Sequence, residues 1–313
     1  MSKQLTSSIL MIRPVGFKLN KETAVNNYYQ HVIDGLTEAH AQEQAVGEFD
    51  EFVEKLRSRA INVIVVNDTS ESDTPDSIFP NNWLSFHDDG TIVLYPMYAE
   101  NRRLERRTDI KEILAGNNFL VEQVKDFTSF EASGKYLEGT GSMLLDRDNH
   151  IVYAALSERT DKEVLDAFCR EFSYKAVSFR AYQTVNNERL PIYHTNVMMC
   201  LTDKLAISGL SSIDDDNERE VLISTVLSTG KQIIDISEAQ IEHFAGNMLG
   251  LKNSDDKKFI IMSAAALQSL NQEQIVIIEE HYEIIASSLD TIEALGGGSA
   301  RCMMAEIFLP KTI

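Results

Sequence analysis

One pattern recurs five times along the chain, as NNWLSF (81–86), GSMLLD (141–146), TNVMMC (195–200), GNMLGL (246–251) and RCMMAE (301–306). Each copy has a pair of small or polar residues followed by an apolar run that is typical of a β-strand. The second residues of the pairs are separated by 60, 54, 51 and 55 positions; they are Asn82, Ser142, Asn196, Asn247 and Cys302. A steady period of this size indicates a repeat architecture.

The segments between the copies predict the same order of elements, strand–strand–helix–strand. After GSMLLD, HIVYAAL predicts a strand, TDKEVLDAFCREF a helix that Thr160 or Asp161 can cap, and YKAVSF another strand. After NNWLSF, one helix is expected around RRLERRTDIKEILA. After GNMLGL, KFIIMSAAAL and SLDTIEAL are expected as the strands on either side of the helix NQEQIVIIEEHY.

The fifth unit is divided between the two ends of the chain. RCMMAEIFLP predicts its first strand, while SSILMIRP, the helix around AVGEFDEFVEKLRS and the strand INVIVVN come from the N-terminal region. A repeat divided in this way closes a ring without exposed sheet edges. We therefore expect an α/β fold, a five-bladed α/β propeller, in a single domain that spans residues 1–313.

Composition excludes several classes of protein. The 313 residues are 43% hydrophobic and carry a formal net charge of -19, which argues against nucleic acid as a partner because phosphate binding needs a basic surface. The apolar run before Arg13 is too short to span a membrane. Three unevenly spaced cysteines do not form a disulfide framework, so we expect a cytoplasmic protein. A homodimer is expected only from its frequency among soluble enzymes.

Cys302 is the candidate nucleophile because it is the one cysteine among the five equivalent positions. It follows GGGSAR, residues 296–301, and consecutive glycines allow the backbone to approach closely and turn sharply. The other two cysteines, Cys169 within a helix and Cys200 within a strand, have apolar neighbours and are interpreted as buried structural residues.

Two further residues near the starts of repeat strands complete a candidate catalytic group. His194 lies two residues before Asn196, and an imidazole near a thiol can form a thiolate–imidazolium pair and move protons. Glu138 lies four residues before Ser142, where a carboxylate can orient the imidazole. A loop carboxylate that caps backbone amides is the alternative interpretation of Glu138.

The motifs LEGTGSM (137–143), HTN (194–196), GNMLG (246–250) and GGGSARCM (296–303) together resemble the arginine deiminase and amidinotransferase superfamily. The resemblance covers essentially the whole chain and implies the same five-bladed propeller, called the pentein fold. It also implies a triad with Cys302 as nucleophile, His194 as general acid and base, and Glu138 as the partner of His194. No metal or organic cofactor is expected for this chemistry.

Two asparagines depart from the arginine-using pattern of that superfamily. Asn82, in FPNNW, and Asn196, in HTN, stand where relatives generally carry aspartate. An asparagine side chain both donates and accepts hydrogen bonds, which suits a neutral ureido group, whereas paired carboxylates suit a guanidinium. Succinylarginine dihydrolases also carry asparagine near this loop, so the two asparagines do not single out one substrate. The chain resembles most closely the citrulline-utilisation hydrolases, and the expected reaction converts citrulline to ornithine, ammonia and carbon dioxide through a covalent intermediate on Cys302.

An amino-acid substrate also needs a partner for its α-carboxylate. Arg102 is the candidate, because related enzymes place an anchoring arginine near this position; a solvated helix start is the alternative, and Arg301 beside the nucleophile could serve the substrate instead. The loop Pro14–Asn20 is expected to close over the mouth of the site. Arginine deimination, dimethylarginine hydrolysis and amidino transfer remain alternative reactions, and a propeller that only binds a ligand is the alternative of another class.

Overall fold

The computed structural model describes residues 4–69 and 71–312, and it shows a mixed α/β fold. In this part of the chain, five three-stranded sheets repeat one plan. The middle strand pairs antiparallel with one neighbour and parallel with the other, as in the register of Leu144 with Tyr153 and of Tyr153 with Val177. In spatial order the strands are Ala305–Glu306, Ser8–Arg13 and Asn62–Asn67; Leu84–Phe86, Thr91–Leu94 and Gln123–Asp126; Leu144–Asp146, Ile151–Ala155 and Lys175–Phe179; Met199–Leu201, Leu205–Ser208 and Gln232–Asp235; Leu249–Lys252, Lys258–Ser263 and Glu283–Ser287.

The first sheet joins the two ends of the chain, as the divided repeat predicts. Ile9 of the N-terminal strand is opposite Glu306 of the C-terminal strand in an antiparallel pair, and opposite Val63 in a parallel pair. The pairing places the segment after Cys302 beside the start of the chain.

Helices connect the parallel strands and cover the sheets. The longest, Glu38–Arg57, begins at Thr37, whose side chain accepts a hydrogen bond from the backbone N–H of His40. Its apolar positions recur every three or four residues and are buried. The other helices are Glu100–Arg103, Ile110–Gly116, Gly139–Ser142, Lys162–Phe172, Thr195–Met198, Asp216–Ser228, Glu238–Glu242, Ala264–Ser269, Gln272–Glu279 and Asp290–Gly296. Among residues 4–69 and 71–312, none of the helices combines the length and apolar character needed to span a membrane.

The polar pairs of the repeat lie in tight turns, not in the strands that were expected to begin with them. Gly139–Ser142 and Thr195–Met198 are single helical turns, and the strands begin only after them. The reason is local: the N–H groups of Ser142 and Met143 bond back to the carbonyls of Glu138 and Gly139, so they cannot join a sheet ladder. Each turn therefore holds buried polar side chains at the start of a strand.

Four other elements differ from the sequence prediction. Of KFIIMSAAAL, expected as one strand, only Lys258–Ser263 is a strand, and Ala264–Ser269 is a helix. SLDTIEAL is not a strand; the strand of this unit is Glu283–Ser287, and residues 290–296 form a helix. Glu48 stabilises the start of that helix, because its carboxylate accepts hydrogen bonds from the N–H groups of Thr291 and Ile292 at 2.8 and 3.0 Å. The helix expected around RRLERRTDIKEILA is two shorter helices. The hairpin of Tyr182–Val185 and Glu188–Pro191 was not foreseen, although its two-residue turn, Asn186–Asn187, has positive φ at both positions, as hairpin turns favour.

Candidate active site

Glu138 and His194 are in direct contact in the core of the molecule. His194 Nε2 lies 2.8 Å from Glu138 Oε2, and both side chains are essentially inaccessible to solvent. The other carboxylate oxygen accepts the backbone N–H of Tyr98 at 2.9 Å. These contacts hold the plane of the carboxylate and, through it, the orientation of the imidazole.

The charges of this pair follow from burial and from Arg159. Burial lowers the pKa of His194 to about 4, although the neighbouring Glu138 favours the protonated form. Burial alone would raise the pKa of Glu138, but the charge of Arg159 and the bond with His194 outweigh it, and the pKa falls to about 2. At neutral pH the pair is therefore a carboxylate with a neutral imidazole, in which Nε2 carries the proton and Nδ1 has a free lone pair.

Cys302 lies in a turn whose backbone is closed by a 3.0 Å bond from its N–H to the carbonyl of Ser299. Its side chain is buried, and its sulfur receives two amide N–H groups, from Asn196 Nδ2 at 3.4 Å and Asn247 Nδ2 at 3.2 Å. In the part of the chain that the structure describes, His194 makes no hydrogen bond to this sulfur. The thiolate–imidazolium contact that the sequence predicted is thus absent from this conformation.

Asn82 is adjacent to the imidazole across Gly141. A Cβ added at Gly141 would lie 2.3 Å from Asn82 Nδ2 and 2.9 Å from His194 Nδ1, so only glycine fits between them. Asn82 Oδ1 accepts a 2.8 Å bond from Arg102, while its Nδ2 has no partner. The structure therefore brings Asn82 beside His194, and Asn196 beside Cys302.

The structure places Arg102 behind Asn82, with its guanidinium committed to protein groups. Its Nε and Nη2 donate to the two oxygens of Glu105 at 2.8 and 2.9 Å, and Nη2 also contacts the carbonyl of Phe79 at 3.3 Å. Burial opposes the charge of both residues: the carboxylate of Glu105 outweighs it and raises the pKa of Arg102, while burial raises the pKa of Glu105 against the lowering effect of Arg102. Because Nε, Nη1 and Nη2 of Arg102 are each bonded to a protein group, no pair of N–H groups is left to bind a substrate carboxylate. The structure therefore does not support the expected role of Arg102 as the anchor.

Several buried polar atoms around the site have no hydrogen-bond partner among residues 4–69 and 71–312. Besides Asn82 Nδ2, they include Asn196 Oδ1, Asp76 Oδ1 and both amide atoms of Asn81. A buried polar group without a partner costs about 1–3 kcal/mol. Those beside the imidazole and the sulfur, Asn82 Nδ2 and Asn196 Oδ1, are groups that a ligand would satisfy. Sequence reasoning missed Asp76, which lies six residues before Asn82 in the same loop.

The segment after the first strand covers the site, over a longer stretch than the Pro14–Asn20 loop that was expected. Asn20 Nδ2 donates to Asp76 at 2.8 Å, and Asn27 Nδ2 donates to the carbonyls of Gly296 and Gly297, both at 3.3 Å. Cys302 is 3% exposed in this arrangement, so a substrate can reach the sulfur only if groups around it move.

Arg159, which no sequence motif indicated, also bonds to this covering segment. Its guanidinium is buried and donates to Asn26 Oδ1 and, at 3.0 Å, to the carbonyl of Thr23. Nη1 lies 3.6 Å from Glu138, and the guanidinium carbon is 4.8 Å from the centre of the Tyr193 ring. Unlike Arg102, Arg159 is bonded mainly to neutral acceptors of this segment.

A cleft of about 520 Å³ lies next to the covering segment, with Tyr29 and Phe244 in its wall, and none of Cys302, His194 or Asn82 lines it.

Among the residues that the structure describes, no three His, Cys, Asp or Glu side chains are grouped so that they could hold a metal ion.

Comparison with protein families identifies one match that spans nearly the whole chain. The family model described as "N,N dimethylarginine dimethylhydrolase, eukaryotic" matches residues 13–309. No curated protein sequence matches the chain significantly.

Solved structures share the fold at low sequence identity. The N-terminal domain of an ArgZ variant, covalently bound to a reaction intermediate, is 19% identical with a TM-score of 0.68, over 97% of this chain and 99% of that one. Full-length apo ArgZ, an arginine dihydrolase from the ornithine-ammonia cycle in cyanobacteria, is 18% identical with a TM-score of 0.70; the match covers 97% of this chain but 41% of ArgZ. An adduct of dimethylarginine dimethylaminohydrolase with S-methyl-L-thiocitrulline is 15% identical with a TM-score of 0.62, over 96% of this chain and 99% of that one.

Proposed function

The chain belongs to the N,N-dimethylarginine dimethylhydrolase family, within the superfamily of arginine deiminases and amidinotransferases, and on that premise we propose that it hydrolyses the ureido group of citrulline. As a member it is an arginine-modifying hydrolase that acts on carbon–nitrogen bonds with a catalytic cysteine. In the proposal, Cys302 is the nucleophile, His194 the general acid and base, and Glu138 the residue that orients His194.

One observation carries the choice of a neutral head group. The unpartnered atoms beside the imidazole and the sulfur are an amide donor, Asn82 Nδ2, and an amide acceptor, Asn196 Oδ1. A ureido group offers one carbonyl oxygen and several N–H donors, so it can satisfy both atoms. A guanidinium offers only donors and would leave Asn82 Nδ2 facing another N–H group.

The reaction follows from the protonation states of the pair. As citrulline binds, the thiol proton of Cys302 moves to the free Nδ1 of His194, and the sulfur adds to the ureido carbon. The carbonyl oxygen becomes an oxyanion that Asn82 Nδ2 is placed to stabilise. The bond from carbon to the side-chain nitrogen then breaks, His194 returns its proton to that nitrogen, and ornithine leaves.

Water completes the cycle on the carbamoyl thioester. His194 takes one proton of the water as its oxygen attacks the carbonyl carbon, and the carbon–sulfur bond breaks. The sulfur regains a proton, and the released carbamic acid decomposes to ammonia and carbon dioxide. The net reaction consumes one citrulline and one water.

The α-amino and α-carboxylate groups of the substrate need partners of opposite charge. We assign the α-ammonium to Asp76, whose Oδ1 is buried without a partner while Oδ2 is occupied by Asn20 and by Thr23 at 3.1 Å. We assign the α-carboxylate to Arg159 in preference to Arg102. The bonds of Arg159 to the covering segment can exchange for a carboxylate, whereas those of Arg102 are charge-assisted and internal.

Hydrolysis of a guanidinium substrate is the second candidate. The family model is named for dimethylarginine, and ArgZ, which shares the fold, is an arginine dihydrolase. For this second candidate, the supporting observation is the unpartnered carboxylate oxygen of Asp76, which could bind a cationic substrate.

We further propose that the five sheets close into a five-bladed propeller, the pentein fold, and that residues 1–313 form one domain. In support, the turns at the sheet starts contact one another from sheet to sheet, as Gly139–Ser142 does with Pro80–Asn82 and with Thr195–Met198. A cytoplasmic location is also proposed; Cys169, Cys200 and Cys302 are free thiols, which is compatible with a reducing compartment. A homodimer remains a prediction.

A substrate panel tests the proposal. Purified enzyme is incubated separately with citrulline, arginine and dimethylarginine, and ornithine, citrulline, ammonia and dimethylamine are quantified; Cys302→Ala is the blank. We expect ornithine from citrulline with the highest kcat/KM. A higher kcat/KM for arginine or dimethylarginine would favour the second candidate. No turnover, with Cys302 labelled no faster than Cys169 and Cys200 by a thiol probe, would favour a binding protein.

A further inference from the structure

The side chain of Asn247 connects three parts of the site. Its Nδ2 donates to the sulfur of Cys302 at 3.2 Å and to the carbonyl of Asn196 at 2.9 Å, while its Oδ1 accepts the backbone N–H of Arg301 at 3.0 Å. Asn247 is 1% exposed. Its amide nitrogen donates to two groups and its amide oxygen accepts from a third, so both ends of the amide are engaged.

These contacts decide which end of the amide faces the sulfur. If the amide were flipped, Nδ2 would face the N–H of Arg301, two donors against each other, and Oδ1 would face the carbonyl of Asn196. Only the observed orientation satisfies both backbone groups. The backbone on either side of the amide therefore directs an N–H toward Cys302.

The other ionisable groups near Cys302 are bonded elsewhere. His194 Nε2 is held by Glu138. The guanidinium of Arg301 is used by the carbonyl of Met304 at 2.9 Å and by Glu306 at 2.7 Å, and the hydroxyl of Tyr193 donates to the carbonyl of Gly297 at 2.6 Å. Neutral amides, not cations, thus face the sulfur in the resting site.

We propose that Asn247 is a catalytic residue that, together with Asn196, orients the Cys302 sulfur and stabilises the thiolate formed when the thiol proton leaves for His194. A thiolate accepts N–H bonds much more strongly than a thiol does, so the two amides favour the ionised form. This inference deepens the proposed function, since it concerns the nucleophile of the same reaction. It does not depend on which substrate is hydrolysed.

The test is the alkylation rate of Cys302 by iodoacetamide, a small neutral probe that requires no turnover. Asn247→Asp keeps the acceptor for Arg301 but replaces the N–H donor with a negatively charged oxygen. We expect its alkylation to be slower than wild type by roughly tenfold or more at pH 7, and the difference to shrink at alkaline pH where hydroxide ionises the thiol in both proteins. In turnover, kcat should fall with little change in KM, because the amide touches the nucleophile and not the substrate.

Controls separate this role from a structural one. Asn117→Asp, at an exposed asparagine, should alkylate as the wild type does. A folded Asn247→Asp that alkylates at the wild-type rate, or that is slowed equally at every pH, would overturn the proposal. If that variant does not fold, the same profile is measured on Asn196→Asp, which replaces the other donor, and the same two outcomes decide. Alkylation that behaves as expected in an enzyme without citrulline turnover would reject the proposed substrate alone.

Discussion

Asn82→Asp is the sharpest test of the neutral head-group proposal. The Oδ1 bond from Arg102, at 2.8 Å, can persist in the variant, but the unpartnered Nδ2 beside Gly141 and His194 becomes a carboxylate oxygen. A ureido oxygen loses a donor there and meets a negative charge, whereas a guanidinium gains a charge-assisted partner.

The size of the effect follows from the contacts at this position. Loss of a buried hydrogen bond costs about 1–3 kcal/mol, and about 1.4 kcal/mol corresponds to a tenfold change in rate. The kcat/KM ratio of citrulline to arginine should therefore fall by roughly tenfold to a hundredfold. Because Arg102 touches the new carboxylate and shields part of its charge, the lower end of that range is expected.

The assay compares kcat/KM for citrulline and for arginine, each measured from substrate loss by amino-acid chromatography. Asn196→Asp should shift the ratio in the same direction, while Asn117→Asp, at an exposed position, should leave it unchanged. The ratio is the readout because both activities can fall if the new charge disturbs Cys302. A wild-type preference for arginine, or an Asn82→Asp ratio equal to that of the wild type, would refute the reasoning.

Four further predictions concern the catalytic group and its support. Cys302→Ala should retain the circular dichroism spectrum and lose turnover; activity above about a tenth of wild type would exclude it as the nucleophile. His194→Ala should nearly abolish turnover and slow iodoacetamide alkylation near neutral pH, and unchanged rates of both would indicate another base. Because the pKa of His194 falls from 6.5 to about 4 on folding, the unfolded chain binds more protons there. The unfolding free energy should therefore decrease by about 3 kcal/mol as the pH falls from 6.5 to 4, and urea titrations should show a flatter decline in His194→Ala. Arg102→Ala leaves Glu105 buried without its cation and should lower the free energy of unfolding, measured by urea titration, by about 3–5 kcal/mol. Arg107→Ala, near the surface, should lower it by less than about 1 kcal/mol. Equal losses in the two variants would contradict the buried-pair argument.

The sequence alone predicted much of the architecture, because periodic burial leaves a periodic pattern of apolar residues. The recurring pairs located the five sheets, and the apolar strands at the two ends predicted the pairing that joins Ile9 to Glu306. Local signals were weaker where long-range contacts decide the structure. The N-terminal N–H groups of the helix at residues 290–296 donate to Glu48, which is remote in sequence.

The sequence determined the chemical types at the candidate site: a thiol, an imidazole, a carboxylate and two amides at repeat positions that meet in space. Only the tertiary structure decided their partners. It bonded His194 to Glu138, turned the amide of Asn247 toward Cys302 and committed Arg102 to Glu105. The reason is that a side chain's charge and free lone pairs depend on burial and on groups brought from distant segments, which no local pattern encodes.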